Sequence, residues 1–137
     1  MRNARLAVRG PDGQTSLLPY DALVVGTGAV SARPPIAGLS GPQAVGAADG
    51  VHLLHSMTDT FELMASIERR RPSTAVLIGA GYIGLEMSEA LIARGIAVTQ
   101  VEALPEVLPT VDPELGALVH AELTSHGVEV VTGTPIA

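Results

Sequence analysis

Apolar and polar positions follow two regimes along this chain. In residues 1–50 the apolar stretches are short and interrupted by turn formers. Residues 6–9 and 15–18 flank Gly10-Pro11-Asp12-Gly13, whose glycines and proline supply the dihedrals of a reversing chain, so a β-hairpin is expected there. Ala22-Leu23-Val24-Val25 reads as a short buried strand that stops at Gly26-Thr27-Gly28. Residues 31–50 then hold three prolines and four glycines, with Arg33-Pro34-Pro35-Ile36 stiffened into an extended path. This composition predicts a linker and a domain boundary near Gly50.

Beyond Gly50 the pattern alternates between strand and helix periods. Asp59 followed three residues later by Glu62 has the form of a capping box and predicts a helix over 59–70, closed by Pro72. Residues 74–78 form a continuous aliphatic and β-branched run, the signature of a strand covered on both faces. A helix over 82–94 ending at Gly95, and a strand over 97–101, complete a parallel crossover unit. Asp112 as N-cap, Pro113 at the first helical position and Gly127 beyond His126 bracket a third helix, with a further strand over 128–131. The expected fold class is α/β: a partial Rossmann-type parallel sheet, built as a three-layer βαβ unit over residues 51–137, preceded by a hairpin and linker in residues 1–50. The sequence is expected to stop before a doubly wound sheet of five or six strands is complete.

Composition narrows the chemistry. Apolar residues make up 47% of the 137 and charged residues 16%, enough to bury a core. The only aromatics are Tyr20, Phe61 and Tyr82, so the core must be aliphatic. With no cysteine, this stretch offers no disulfide, thiolate metal site or redox dithiol. All eight basic residues are arginines, which excludes a Schiff-base or P-loop lysine here. A net charge of −6 spread over the chain disfavours nucleic acid as a partner, because neutralising its phosphates needs a surface of basic residues. No apolar run reaches the roughly 20 residues that span a bilayer, and no signal-like core follows the first residues, so a cytoplasmic protein without a membrane partner is expected.

One segment carries a specific chemical signal. Gly79-Ala80-Gly81-Tyr82-Ile83-Gly84 fits G-x-G-x-x-G, follows a predicted buried strand, and opens a predicted helix. A second strand ends in Glu102, 18 residues after Gly84. In a dinucleotide fingerprint the first glycine permits the tight turn, the second lets the backbone approach a pyrophosphate, and the third lets helix and strand pack closely. The positive helix end then faces the diphosphate, which requires no lysine. Glu102 can accept hydrogen bonds from the adenosine ribose and would repel a 2′-phosphate. No arginine follows in Ala103-Leu104-Pro105, so NAD is expected in preference to NADP. The competing reading is a glycine-rich turn used only for packing.

Together with residues 75–87, the stretches Tyr20-Asp21-Ala22-Leu23-Val24-Val25-Gly26-Thr27-Gly28 and Arg33-Pro34-Pro35-Ile36-Ala37-Gly38-Leu39 resemble the middle of a pyridine nucleotide-disulfide oxidoreductase. Tyr82, Glu86 and residues 98–108 bring the resemblance nearest to the CoA-disulfide reductase and NADH oxidase group. It covers nearly the whole chain. The resemblance implies a flavoenzyme in which a nicotinamide domain is inserted into a flavin domain, with NAD(H) and FAD as cofactors, and residues 1–50 as the flavin-side hairpin and linker. It implies that Thr27 and Gly28 lie against FAD, that Tyr82 covers the flavin face and moves aside for nicotinamide, and that Glu86 lies near the nicotinamide end. Gly26, Ser31 and Ala37 depart from the family's usual Ala, Pro and Pro. The family's first glycine-rich FAD motif, redox cysteine and final Gly-Asp motif have no counterpart here, so the chain alone is expected to be catalytically incomplete and to bind NADH weakly. No catalytic residue is assigned.

Other residues have plainer readings. His52 and His55 form an H-x-x-H pair without a third ligand at metal spacing, and His120 and His126 suit the end of the third helix. Arg69-Arg70-Arg71 suits a solvated helix end, and Glu89 a helix surface. Tyr82 is equally a side chain packed over a helix start. Three functions stay open: an NAD(H)-binding portion of a flavin-dependent oxidoreductase, with ferredoxin reductases as near relatives; a non-catalytic nucleotide-binding module; and a truncated remnant that self-associates as a homo-oligomer through an open sheet edge.

Overall fold

The computed structural model describes residues 4–136. Contacts divide them into two units, with the division between Val30 and Ser31. In the first unit, strands β1 (Arg5–Arg9) and β2 (Thr15–Pro19) pair antiparallel, with Leu6 opposite Leu18 and Val8 opposite Ser16. The Gly10–Gly13 reversal is closed by Gly13 N donating to Gly10 O at 3.0 Å, and Gly13 takes a left-handed φ of 78°. The strand expected over residues 22–25 does not form. An apolar run becomes a strand only where its N–H and C=O groups find a ladder. Among the described residues of this unit β1 and β2 pair only with each other, leaving Val24 91% and Val25 75% exposed.

The second unit is built on a three-stranded parallel sheet in the order β3 (Thr74–Ile78), β4 (Ala97–Val101), β5 (Glu129–Val131). Helix α1 (Met57–Arg70) precedes it, α2 (Tyr82–Ile92) crosses from β3 to β4, and α3 (Pro113–Ser125) from β4 to β5. Register places Ala75 beside Val98, Leu77 beside Gln100, and Gln100 beside Val130. These residues share one sheet face, against which Leu91 and Ile92 of α2 and Leu123 of α3 pack with Ile96 and Val128. The opposite face of β3 is open: Val76 is 64% and Ile78 54% exposed. The continuous apolar run of β3 therefore reports a strand at the edge of this sheet, covered on one face rather than two. Residues 31–50, expected as a linker, contribute turns and a single 3-10 turn at Ala47–Asp49, and Leu39 is buried. Arg33 donates to Leu39 O at 3.1 Å, and Arg70 donates to Ala48 O.

Helix α1 starts earlier than the Asp59/Glu62 pattern suggests. Ser56 is the N-cap: its Oγ accepts from Asp59 N at 3.2 Å, while Asp59 accepts from Ser56 N at 2.7 Å and from His55 N at 3.0 Å. This reciprocal box makes Asp59 the third helical residue. The Ser56 amide, then the Ser56 hydroxyl side of the same box, hold the Asp59 carboxyl below its ordinary value of 3.8. A depressed carboxyl stabilises the fold above its unfolded pKa, and that contribution disappears as pH falls through the lower folded value. Ser56→Ala is expected to cost about 1 kcal/mol at neutral pH, the usual worth of an N-cap. The Ser56 amide survives in that variant, so the pH dependence is read at Asp59→Asn: thermal melts should show its deficit shrinking in acid below the ordinary aspartate range, and an equal deficit at every pH would contradict the coupling.

Helix α2 ends at Ile92, with Ala93 as its C-cap, because Ile96 N and Gly95 N take the Leu91 and Ile92 carbonyls in place of a further helical turn. Gly95 has φ 75°. The third helix has its expected Asp112 and Pro113 start. His120 on it pairs through Nδ1 with Glu106 Oε1 at 2.7 Å, an ion pair when the imidazole is protonated. Val107 N first, then His120, hold the Glu106 carboxyl below its ordinary value.

Candidate functional site: the bend between β3 and α2

The chain leaves β3 through a bend whose first residues turn every backbone polar group inward. Gly79 N donates to Val101 O at 2.8 Å, and Gly79 O accepts from Gln100 Nε2 at 3.2 Å. Ala80 N donates to Glu102 Oε2 at 2.7 Å, and Ala80 O accepts from Leu108 N at 2.8 Å. Gly79 sits at φ 99°, a conformation that a side chain would strain. Ala80 is fully buried.

At Gly81 the arrangement reverses. It is the N-cap of α2 with φ −76° and ψ 179°, has no side chain to cap the helix, and a Cβ there would meet nothing within 4 Å. The helix's first internal bond runs from Leu85 N to Gly81 O at 3.1 Å. The N–H groups of Tyr82, Ile83 and Gly84 thus stand outside the i→i−4 ladder at the positive end of the helix. Gly84 is constrained in the opposite way: a Cβ would collide with Gly79 O and come within 2.7 Å of Gln100 Nε2. Helix and bend approach so closely that only a hydrogen fits. The bend is therefore packed on one side and uncapped on the other, which is the geometry that accepts an anion.

Glu102 closes the far side of the bend. It follows β4 and is 8% exposed, and besides Ala80 N it takes Leu104 N on Oε1 at 3.0 Å. Each carboxylate oxygen thus uses one lone pair on backbone and keeps another for a ligand hydroxyl. A hollow of about 250 Å³ lies beside it, lined by Gly79, Glu102, Ala103 and Thr134 with Ile36 and Ile136 as apolar walls. A second hollow of about 450 Å³ runs from Gly79, Gly81 and Tyr82 along Ile78 to Leu39 and Leu54. The residues fit a dinucleotide: an uncapped helix end for the diphosphate, and a carboxylate with an adjoining apolar recess for a nucleoside.

The remaining site residues read from the sequence lie apart from this cluster or at its rim. Tyr82 is 72% exposed at the mouth of the larger hollow, and Ile83 lines the same hollow. Glu86 is exposed and lines, with Glu89, a groove between α2 and α3. Thr27 and Gly28 belong to the first unit; both are exposed, and Gly28 takes φ 75°. No group of three or more His, Cys, Asp or Glu among the described residues could hold a metal, and His52 Nε2 is buried without a partner. No helix among them is long and apolar enough to cross a membrane.

Two residues at the heart of the site escaped sequence reasoning. Gln100 and Ser88 are each fully buried, and Ser88 Oγ donates to Gln100 Oε1 at 2.7 Å. The available signal was Gln100 itself, a long polar side chain next to Thr99 in a strand, Ala97–Val101, that is otherwise aliphatic.

A family model described as pyridine nucleotide-disulphide oxidoreductase matches residues 2–137. The NADH oxidase of Methanocaldococcus jannaschii is 33% identical over 136 residues, which are 98% of this chain and 29% of that protein. The crystal structure of reduced CoADR-RHD from Bacillus anthracis superposes with a TM-score of 0.77 at 33% identity, covering 96% of this chain and 23% of the other. The NAD-dependent persulfide reductase of A. fulgidus gives 0.76 at 34% identity, covering 97% and 23%. The chain spans less than a third of the length of each of these relatives.

Proposed function

Because this chain belongs to the pyridine nucleotide-disulphide oxidoreductase family, we propose that residues 51–137 are its NAD(H)-binding portion. Residues 1–50 are then the hairpin and linker of the flavin side, with Thr27 and Gly28 as FAD contacts. When bound, NADH supplies a hydride and FAD receives it; the chain's own part is binding and orientation. The observation that carries the reading is the pairing of an uncapped helix end at Gly81 with the buried Glu102 on the other side of one bend. The N–H groups at Tyr82, Ile83 and Gly84 take the diphosphate oxygens. Glu102 takes the ribose hydroxyls on its free lone pairs, and its charge opposes a 2′-phosphate. Tyr82, exposed at the rim, is free to change rotamer and would cover the nicotinamide end, with Glu86 at the same end. The M. jannaschii relative is named an NADH oxidase and the A. fulgidus relative an NAD-dependent reductase, both in keeping with NAD. Calorimetric titration of the chain tests this: NADH should bind one per chain and NADPH distinctly more weakly. Equal affinity for the two would remove Glu102 from the ribose site.

A further inference from the structure

The peptide unit joining Gly79 to Ala80 is held at both ends by side chains from one strand. Its carbonyl accepts from Gln100 Nε2 and its N–H donates to Glu102 Oε2. Residues two apart on an extended chain point to the same side, so β4 and the residue after it deliver a donor and a carboxylate to opposite ends of one peptide plane. A carbonyl can only accept, so the amide NH₂ of Gln100 must face Gly79. The Oε1 end then faces α2, where the Ser88 hydroxyl donates to it. Ser88, Gln100 and Glu102 are all buried, with Gln100 at 0% exposure.

We propose that Gln100, oriented by Ser88, is a positioning residue for the dinucleotide bend. With Glu102 it locks the Gly79–Ala80 peptide plane before any ligand arrives. The inference rests on the NAD reading of the bend. Gly79 is the residue whose dihedrals are freest, since glycine populates both signs of φ. Rotation of its following peptide would withdraw Ala80 N from Glu102 and Gly79 O from Gln100. The first change leaves the ribose-binding carboxylate held by Leu104 N alone; the second brings a negative dipole end into the region that receives a diphosphate. Holding the plane removes both penalties from the binding step, which is how preorganisation raises affinity.

The test compares wild type, Gln100→Leu and the double variant Ser88→Ala/Gln100→Leu in the full chain. Amide hydrogen exchange at Ala80 in the ligand-free chain reads the clamp itself. Loss of the Gln100 contact should speed Ala80 exchange about tenfold relative to the amides of β4. It should also weaken NADH binding by about three- to tenfold, the range expected for one hydrogen bond. Replacing both members of a buried polar pair by apolar groups is close to neutral for folding. The double variant therefore restores only the part of the melting temperature lost at the Ser88 hydroxyl; Gly79 O still lacks its donor, so it should melt above Gln100→Leu but below wild type and still bind NADH poorly. Unchanged Ala80 exchange in both variants overturns the proposal. So does an NADH affinity that follows the melting temperature and returns in the double variant, because that is the behaviour of a purely structural pair. Failure of wild type to bind NADH would sink the nucleotide reading instead, while Ala80 exchange in the ligand-free chain still decides whether the clamp exists.

Discussion

Gly84→Ala is expected to damage folding and nucleotide binding together. The added methyl would strike Gly79 O and lie 2.7 Å from Gln100 Nε2, and the carbonyl belongs to a backbone fixed by β3. Alanine gains at most about 1 kcal/mol over glycine in helix propensity. Overpacking of a tight contact costs about 1–3 kcal/mol and occasionally more, so strain wins. Relief requires α2 to move away from β3, which carries the N–H groups of Tyr82 and Ile83 off the line of the bend. Thermal melting should show a clear loss of stability, and NADH affinity should fall at least tenfold, about 1.4 kcal/mol. A variant as stable as wild type would show that the helix can shift freely and that the close approach is incidental.

The second large effect is expected at Glu102. Its carboxylate holds Ala80 N and Leu104 N and is the buried anion beside the 250 Å³ recess. Glu102→Ala removes charge-assisted hydrogen bonds, each worth about 1.5–3 kcal/mol, and leaves the buried Ala80 N–H without its partner. NADH affinity should drop about 10–100-fold on that scale. NADPH should lose less, because the charge that opposes its 2′-phosphate has also gone. The ratio of the two dissociation constants is the measurement: it should move towards one. A ratio unchanged from wild type would place the adenosine ribose elsewhere.

The sheet was legible because β3 and β4 are short, aliphatic and bounded by turn residues, and both strands have the expected limits, Thr74–Ile78 and Ala97–Val101. What the pattern could not supply was partnership. Residues 22–25 have the composition of a strand, yet no ladder reaches them among the described residues, and the apolar run of β3 does not reveal that one of its faces stays open. The start of α1 was displaced because Asp59-x-x-Glu62 and Ser56-x-x-Asp59 both satisfy the capping pattern, and only the hydrogen bonds choose between them. At the bend, glycine identity foretells where positive φ and close approach are possible, as φ 99° at Gly79 and the crowding at Gly84 illustrate. The Ser88–Gln100 pair was invisible for a different reason. Its partners lie 12 residues apart on helix and strand, and only the crossover brings them together.

The open end of α2 at Gly81 is the feature on which the nucleotide reading stands, and Gly81→Asp separates it from stability. The backbone there is in the extended region, a new Cβ meets nothing within 4 Å, and aspartate is a favoured N-cap, so the fold should be as stable as wild type or more so. The same carboxylate would occupy the free N–H groups and repel a diphosphate. Side-by-side calorimetric titration with NADH should give saturable one-to-one binding for wild type and none for Gly81→Asp at an undiminished melting temperature. Equal NADH binding by both proteins would contradict the assignment of the diphosphate to this helix end.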